Sequence, residues 1–245
     1  MDRVLTASQL LEVWEQGRAR TPAQRARALL ALAQPAVPAA ELAGFGIGRR
    51  DRELLGLRER LFGPRLTGAA QCPDCGLDIE LDFAVADIRA PEATPPESAL
   101  TLADAGYELR FRLPTCGDLE ALELGGDPAG RKTALLERCV TEARWHGEIA
   151  PVHALPASLT TALTGRMADL DPQGDIRLAL TCPRCARQWQ APFDIVSYLW
   201  SELQAWALDL LRDIHELARA YGWREADILN LSAWRRQAYL EMIRQ

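Results

Sequence analysis

The sequence predicts an α+β fold in which helical N- and C-terminal parts surround two short β-ribbons far apart along the chain, with an α/β segment inserted between them. Three observations predict it. In residues 1–66 and 194–245, apolar side chains recur at helical spacing behind capping residues. Between them, runs of alternating apolar and polar residues mark strands. Two Cys-Pro-x-Cys knuckles, Cys72-Pro73-Asp74-Cys75 and Cys182-Pro183-Arg184-Cys185, each stand between such strands.

Residues 1–66 read as small amphipathic helices. Thr6-Ala7-Ser8-Gln9 has the capping-box spacing, with Leu10, Leu11 and Trp14 behind it and Gly17 as the stop. Thr21-Pro22-Ala23-Gln24 repeats the signal with proline at the first helical position, followed by Leu29, Leu30 and Leu32. A looser stretch, 35–48, precedes a third helix expected from near Asp51, carrying Leu54, Leu57 and Leu61 to Gly63.

The first ribbon half is placed at 67–90. After its knuckle, Gly76 turns the chain into the alternating run 77–83. The second half, 175–193, has Ile176, Leu178 and Leu180 before its knuckle and Arg187-Gln188-Trp189-Gln190 after it. The inserted segment, 91–174, opens on a Pro-rich linker, 90–96. A half-buried strand at 107–113 follows, then a helix capped by Thr115 or Asp118 and running through Leu119, Leu122 and Leu124. A further helix is expected over 131–145, with Leu135, Leu136, Cys139 and Val140 inward, and another behind Ser158 with Leu159, Leu163 and Met167. Asp171-Pro172-Gln173-Gly174 reads as the turn into the second ribbon half.

In 194–245, Ile195, Leu199, Leu203, Trp206, Leu210, Ile214, Leu217 and Tyr221 form one apolar ridge along a helix of about 26 residues, widened by Trp200, Ala207 and Leu211. Gly222 is its left-handed stop. A short helix within 223–229 and a last one capped by Ser232 complete the chain.

Two knuckles supply four soft ligands, Cys72, Cys75, Cys182 and Cys185, which is the donor set of a tetrahedral zinc. The competing readings are two disulfides or a redox-active Cys-x-x-Cys. A redox motif would open a helix after a strand, whereas these knuckles stand between strands. Four sulfurs leave no coordination position for water, so the expected Zn2+ is structural. Ordinary zinc ribbons separate their knuckles by some 15 to 20 residues; here a whole segment intervenes.

The chain has 245 residues, 48% hydrophobic and 25% charged, with a net charge of −6 and Lys132 as its single lysine. That size and composition suit a soluble globular protein. With no apolar run of eighteen residues and no basic-then-apolar leader before Leu5, the reading is cytoplasmic at synthesis, without membrane insertion. Cys116 and Cys139 read as core residues, and His146, His153 and His215 are scattered. Asp169 and Asp171 read as a solvated acidic pair. No phosphate loop, dinucleotide fingerprint or nucleophile elbow is present, so no enzyme is expected.

Leu217, Ala218, Gly222 and Ile228 have helix-turn-helix spacing, which makes a DNA-binding regulator the alternative reading. The candidate recognition helix, 224–230, carries Glu225 and Asp227, and 194–245 holds six Arg against eight Asp and Glu. That balance argues against a nucleic-acid partner. Trp200, Trp206, Tyr221, Trp223, Trp234 and Tyr239 are candidates for core or for partner contact.

The string Asp175-Ile176-Arg177-Leu178-Ala179-Leu180-Thr181-Cys182-Pro183-Arg184-Cys185, with Trp189 and Pro192-Phe193-Asp194-Ile195, resembles proteins encoded beside contractile phage tails and tail-like injection systems. So does the ending, His215-Glu216-Leu217-Ala218-Arg219-Ala220-Tyr221-Gly222-Trp223 through Ile228-Leu229 and Arg235-Arg236-Gln237-Ala238-Tyr239-Leu240. These are similar to phage baseplate proteins described as baseplate hub assembly chaperones, chiefly over about residues 170–245. Arg112-Leu113-Pro114-Thr115 and Ile47-Gly48-Arg49-Arg50-Asp51 also fit the resemblance. It implies a non-enzymatic assembly factor or structural component whose partners are baseplate or hub and spike subunits, and incorporation into a tail-like particle. The split ribbon with its long insertion departs from short phage relatives, which consist mainly of the helical ending.

Overall fold

A computed structural model describes residues 5–91, 100–122 and 128–244. It is an α+β protein. The N-terminal helices are α1 (Ala7–Gly17), α2 (Pro22–Ala33), α3 (Ala39–Leu42) and α4 (Ile47–Phe62). Hairpin β1 (Arg65–Gln71) and β2 (Asp78–Ala84) follows, then the short α5 (Val85–Ile88). The intervening stretch contains β3 (Leu100–Asp104), β4 (Tyr107–Phe111), α6 (Cys116–Leu122), α7 (Pro128–Cys139), β5 (Val140–Trp145), β6 (Glu148–Ile149) and α8 (Ala157–Leu170). A second hairpin, β7 (Arg177–Thr181) and β8 (Gln188–Pro192), leads into α9 (Ile195–Tyr221), α10 (Glu225–Leu229) and α11 (Ala233–Ile243).

In space the division differs from the five segments read along the sequence. One compact unit combines residues 1–28 with 196–245, and the other is 29–195. The boundaries fall inside α2 and after the first residue of α9.

In the first unit, α1 starts on the expected capping box: Gln9 N donates to Thr6 Oγ1 (3.2 Å) and Thr6 N to Gln9 Oε1 (3.0 Å). Leu10, Leu11 and Trp14 are buried. Gly17 closes the helix because Trp200 lies on it: a Cβ there would stand 2.3 Å from the indole. The Arg25 guanidinium lies over that ring at 4.6 Å, and its Nε donates to Gly17 O at 2.9 Å. Leu199, Leu203, Ala207, Leu210 and Leu217 of the long helix are all buried. Gly222, at φ +68°, ends it. Ser232 Oγ accepts from Arg235 N to cap α11.

Among the described residues, the second unit has a core on its sheet and a group of buried leucines on α4. The four-stranded antiparallel sheet, order β3-β4-β5-β6, puts Leu109, Phe111, Val140 and Ala143 against Leu136 of α7 and Leu159 and Leu163 of α8. In α4, Leu54, Leu55 and Leu57 are fully buried. Each such leucine contributes about 2 to 3 kcal/mol of transfer free energy.

Several expectations are corrected here. Residues 140–145 are strand β5 rather than the end of a helix: Leu109 pairs with Ala143 and Tyr107 with Trp145, and the sheet takes the β-branched Val140 and Thr141. Helix α4 begins at Ile47, a turn before Asp51, which is buried within the helix and bound to Arg50 Nε at 2.7 Å. Pro156 occupies the N-cap of α8, with Ser158 inside the helix. Residues 92–96 of the linker, and Leu124, lie outside the described residues. Asp171 is half-buried and bonded within the fold: its Oδ2 accepts from Gly48 N at 2.8 Å, near the start of α4. Next to it, the buried Gln173 accepts from Ala90 N (2.8 Å) and donates to Ile88 O (3.3 Å).

Candidate metal centre

Each knuckle is the turn of a β-hairpin. Strands β1 and β2 pair from Arg65 with Ala84 to Gln71 with Asp78, and β7 and β8 from Arg177 with Pro192 to Thr181 with Gln188. At the tip, Cys72 N donates to Leu77 O (2.8 Å) and Gly76 N to Cys72 O (3.0 Å). The second knuckle repeats both bonds: Cys182 N to Arg187 O (2.8 Å) and Ala186 N to Cys182 O (2.9 Å). Both turns need a left-handed residue after the second cysteine, supplied by Gly76 at φ +67° and by Ala186 at φ +58°. Proline fits the second position of each because its fixed φ suits the turn and no amide is required there.

The two turns face each other. Cys72 Sγ lies 3.6 Å from Cys185 Sγ, and Cys75 Sγ 3.5 Å from Cys182 Sγ. All four sulfurs lie within 4.8 Å of one another. A tetrahedron with metal–sulfur bonds of about 2.3 Å has edges of about 3.8 Å, so the donor set fits such an ion. The sulfurs are free thiols, far beyond the ~2.05 Å of a disulfide. Thus the sequence-distant cysteines converge on one site able to bind a metal. Phe83 and Phe193, edge to face at 5.8 Å, bring the two hairpins together, and Arg187 reaches Asp74 across the knuckles at 3.6 Å.

Burial is graded around the site. Cys72 and Cys182 are 2% and 1% exposed, Cys75 is half-buried and Cys185 exposed. Acidity is also uneven. At Cys182 burial opposes ionisation, but the amides of Cys185 and Arg184 aimed at the sulfur bring its pKa down to about 6. The Arg187 amide favours a Cys185 thiolate, yet desolvation by the surrounding knuckles and the three neighbouring sulfurs outweigh it and push that thiol up to about 12. At Cys75 the Leu77 amide favours the thiolate, but desolvation and the sulfurs of Cys182 and Cys72 raise the thiol. A dication would neutralise this crowding of like charge, and four sulfurs around it would leave no position for water or substrate.

The remaining candidates are distributed differently. Trp200 is core, 7% exposed beneath Gly17 and Arg25, and therefore closed to a partner. Trp206 is half-buried. Tyr221, Trp223 and Tyr239 form one aromatic cluster, with Tyr221 stacked on Trp223 at 4.7 Å and Tyr239 edge-on to Trp223 at 4.8 Å. Trp234 stands 79% exposed on α11. Helix α10 has only five residues, with Glu225 and Asp227 exposed in its first turn. Cys116 and Cys139 are buried.

One acid read from the sequence only as a possible helix cap is a buried anchor for two arginines. Asp118, 2% exposed, accepts from Arg112 Nη1 and Nη2, Arg138 Nε, and the amide and hydroxyl of Thr115. The Arg112 bonds, working against burial and helped by Thr115 and Arg138, hold its carboxyl well below the usual carboxylate range. The available signal was its place three residues after Thr115; the convergence of Arg112 and Arg138 had none.

Compared with protein-family models, with curated proteins and with solved structures, the chain matches none. Among the described residues no helix is long and apolar enough to cross a membrane.

Proposed function

We propose that the chain is a zinc-clasped, non-enzymatic assembly factor or structural component of the baseplate of a contractile tail or tail-like injection system. The zinc reading rests on one observation, the convergence of four cysteine sulfurs from two hairpin tips within 4.8 Å. Of the metals that favour tetrahedral thiolate, zinc needs no redox partner and suits a closed site with a purely mechanical task. The baseplate reading rests on the resemblance of the second knuckle and the helical ending. Its partners would be hub or spike subunits, held by the helical end of the chain, where Trp234, Met242 and Tyr221 are exposed.

The test has two arms. Metal analysis of freshly purified protein should give one zinc per chain. Co-purification from assembling particles should recover hub or spike subunits with the native chain, and Trp234→Ala should weaken that recovery while leaving metal content unchanged. Absence of bound zinc would remove the first half of the proposal; absence of tail subunits at normal metal content would remove the second.

A further inference from the structure

Around the four sulfurs, burial and pairing are both asymmetric. Cys185 is the exposed member, whereas Cys72 and Cys182 are nearly sealed. Cys185 Sγ lies 3.6 Å from Cys72 Sγ, on the other hairpin. The other close pair, Cys75 and Cys182, also crosses between hairpins. We infer that Cys185 is an oxidant-modification site, attacked by hydrogen peroxide and resolved by Cys72, so that the metal clasp is exchanged for a covalent one joining the same two hairpins. The inference rests on the metal reading above and adds to it which sulfur reacts and with which partner.

The chemistry balances with peroxide as the only added reagent. In the metal-loaded chain the Cys185 sulfur is held as a thiolate; it attacks one peroxide oxygen, an S–O bond forms as the O–O bond breaks, and hydroxide departs to be protonated by solvent. The product is a sulfenic acid on Cys185. The Cys72 thiolate then attacks that sulfur, forming the S–S bond as the S–O bond breaks and a second hydroxide leaves for solvent. Two sulfurs lose two electrons in all and peroxide is reduced to two waters. Cys75 and Cys182 alone cannot complete a four-coordinate site, so the ion is released. The 3.6 Å gap must close by only about 1.5 Å to reach disulfide length.

The experiment uses the full metal-loaded chain. Hydrogen peroxide is added below one equivalent, released metal is followed with a chromophoric chelator, and disulfides are mapped by non-reducing peptide mass spectrometry. The expected result is one metal released per disulfide formed, with Cys72–Cys185 as the first linkage and Cys116 and Cys139 still reduced. The conservative variant Cys185→Ser, if it retains metal, should release it at least tenfold more slowly. Because that variant could lose metal outright, the wild-type linkage map is decisive alone. Disulfides within a knuckle, Cys72–Cys75 or Cys182–Cys185, would overturn the inference, as would a stable metal load at full oxidant consumption. Purified protein carrying no metal would instead overturn the metal reading itself.

Discussion

Replacing Gly48 by Ala should destabilise the second unit, although alanine is the better helix former. The Cβ would sit 1.7 Å from Asp171 Oδ1 and 2.6 Å from its Cγ, so the carboxylate must leave the position from which Oδ2 accepts the Gly48 amide. Losing a side-chain cap costs about 0.5 to 2 kcal/mol, and losing a negative charge from a helix N-terminus about 0.3 to 1. A methyl group forced into a packed site adds roughly 1 to 3. Relief of the glycine's helical penalty returns about 0.5 to 1. The balance is a loss of about 1 to 5 kcal/mol. For a unit of this size each kcal/mol moves Tm by roughly 2 to 4 °C. Calorimetry should therefore show the relevant transition lower by several degrees in Gly48→Ala. In an Asp171→Ala background the obstruction is gone, and the same substitution should become neutral or stabilising. Equal effects in both backgrounds, or a Gly48→Ala protein as stable as wild type, would refute the assignment of Asp171 as the acceptor of the Gly48 amide.

Removing the metal with a chelator, or replacing Cys182 by Ser, should cost several kcal/mol, since the clasp joins positions 107 apart and a cross-link closing a loop near 100 residues is worth about 4 to 5. An unchanged unfolding midpoint after verified metal removal would contradict this. Ala186→Gly should stabilise by about 1 kcal/mol, because the left-handed backbone there penalises a Cβ, whereas Gly76→Ala should destabilise by a similar amount; urea midpoints measure both. Asp118→Asn should cost about 3 kcal/mol through the broken Arg112 and Arg138 bonds. The carboxyl of Asp118 is held below its ordinary pKa of about 3.9, so the unfolded chain takes up the proton first on acidification. Its contribution is complete above about pH 4 and falls away below, a dependence that stability measured against pH should show in wild type and lose in Asp118→Asn.

Local chemistry was legible where it acts alone. The capping box of Thr6 and Gln9, the ridge of α9 with its stop at Gly222, and each Cys-Pro-x-Cys knuckle could be read directly, because spacing within a few residues or along one helix determines each. The misreadings lie where distant partners decide. Residues 131–145 read as one helix, yet β4 offers hydrogen bonds that take Val140 onward into the sheet. Asp171 looks like a turn acid until Gly48, 123 positions earlier, brings a helix terminus to it. Trp200 has the profile of an interface anchor, and only the bare backbone of Gly17 shows that the chain itself supplies the partner. Such pairings leave no trace in local periodicity.

The side chain of Gln173 touches both Ile88 and Ala90, so the polypeptide leaves the first hairpin and returns to the second through the same doorway. Path length between those points is then decoupled from the placement of the sulfurs. A lineage can lengthen, shorten or redecorate the excursion without moving either fingertip of the clasp, which makes the interrupted ribbon a natural mounting point for new surface.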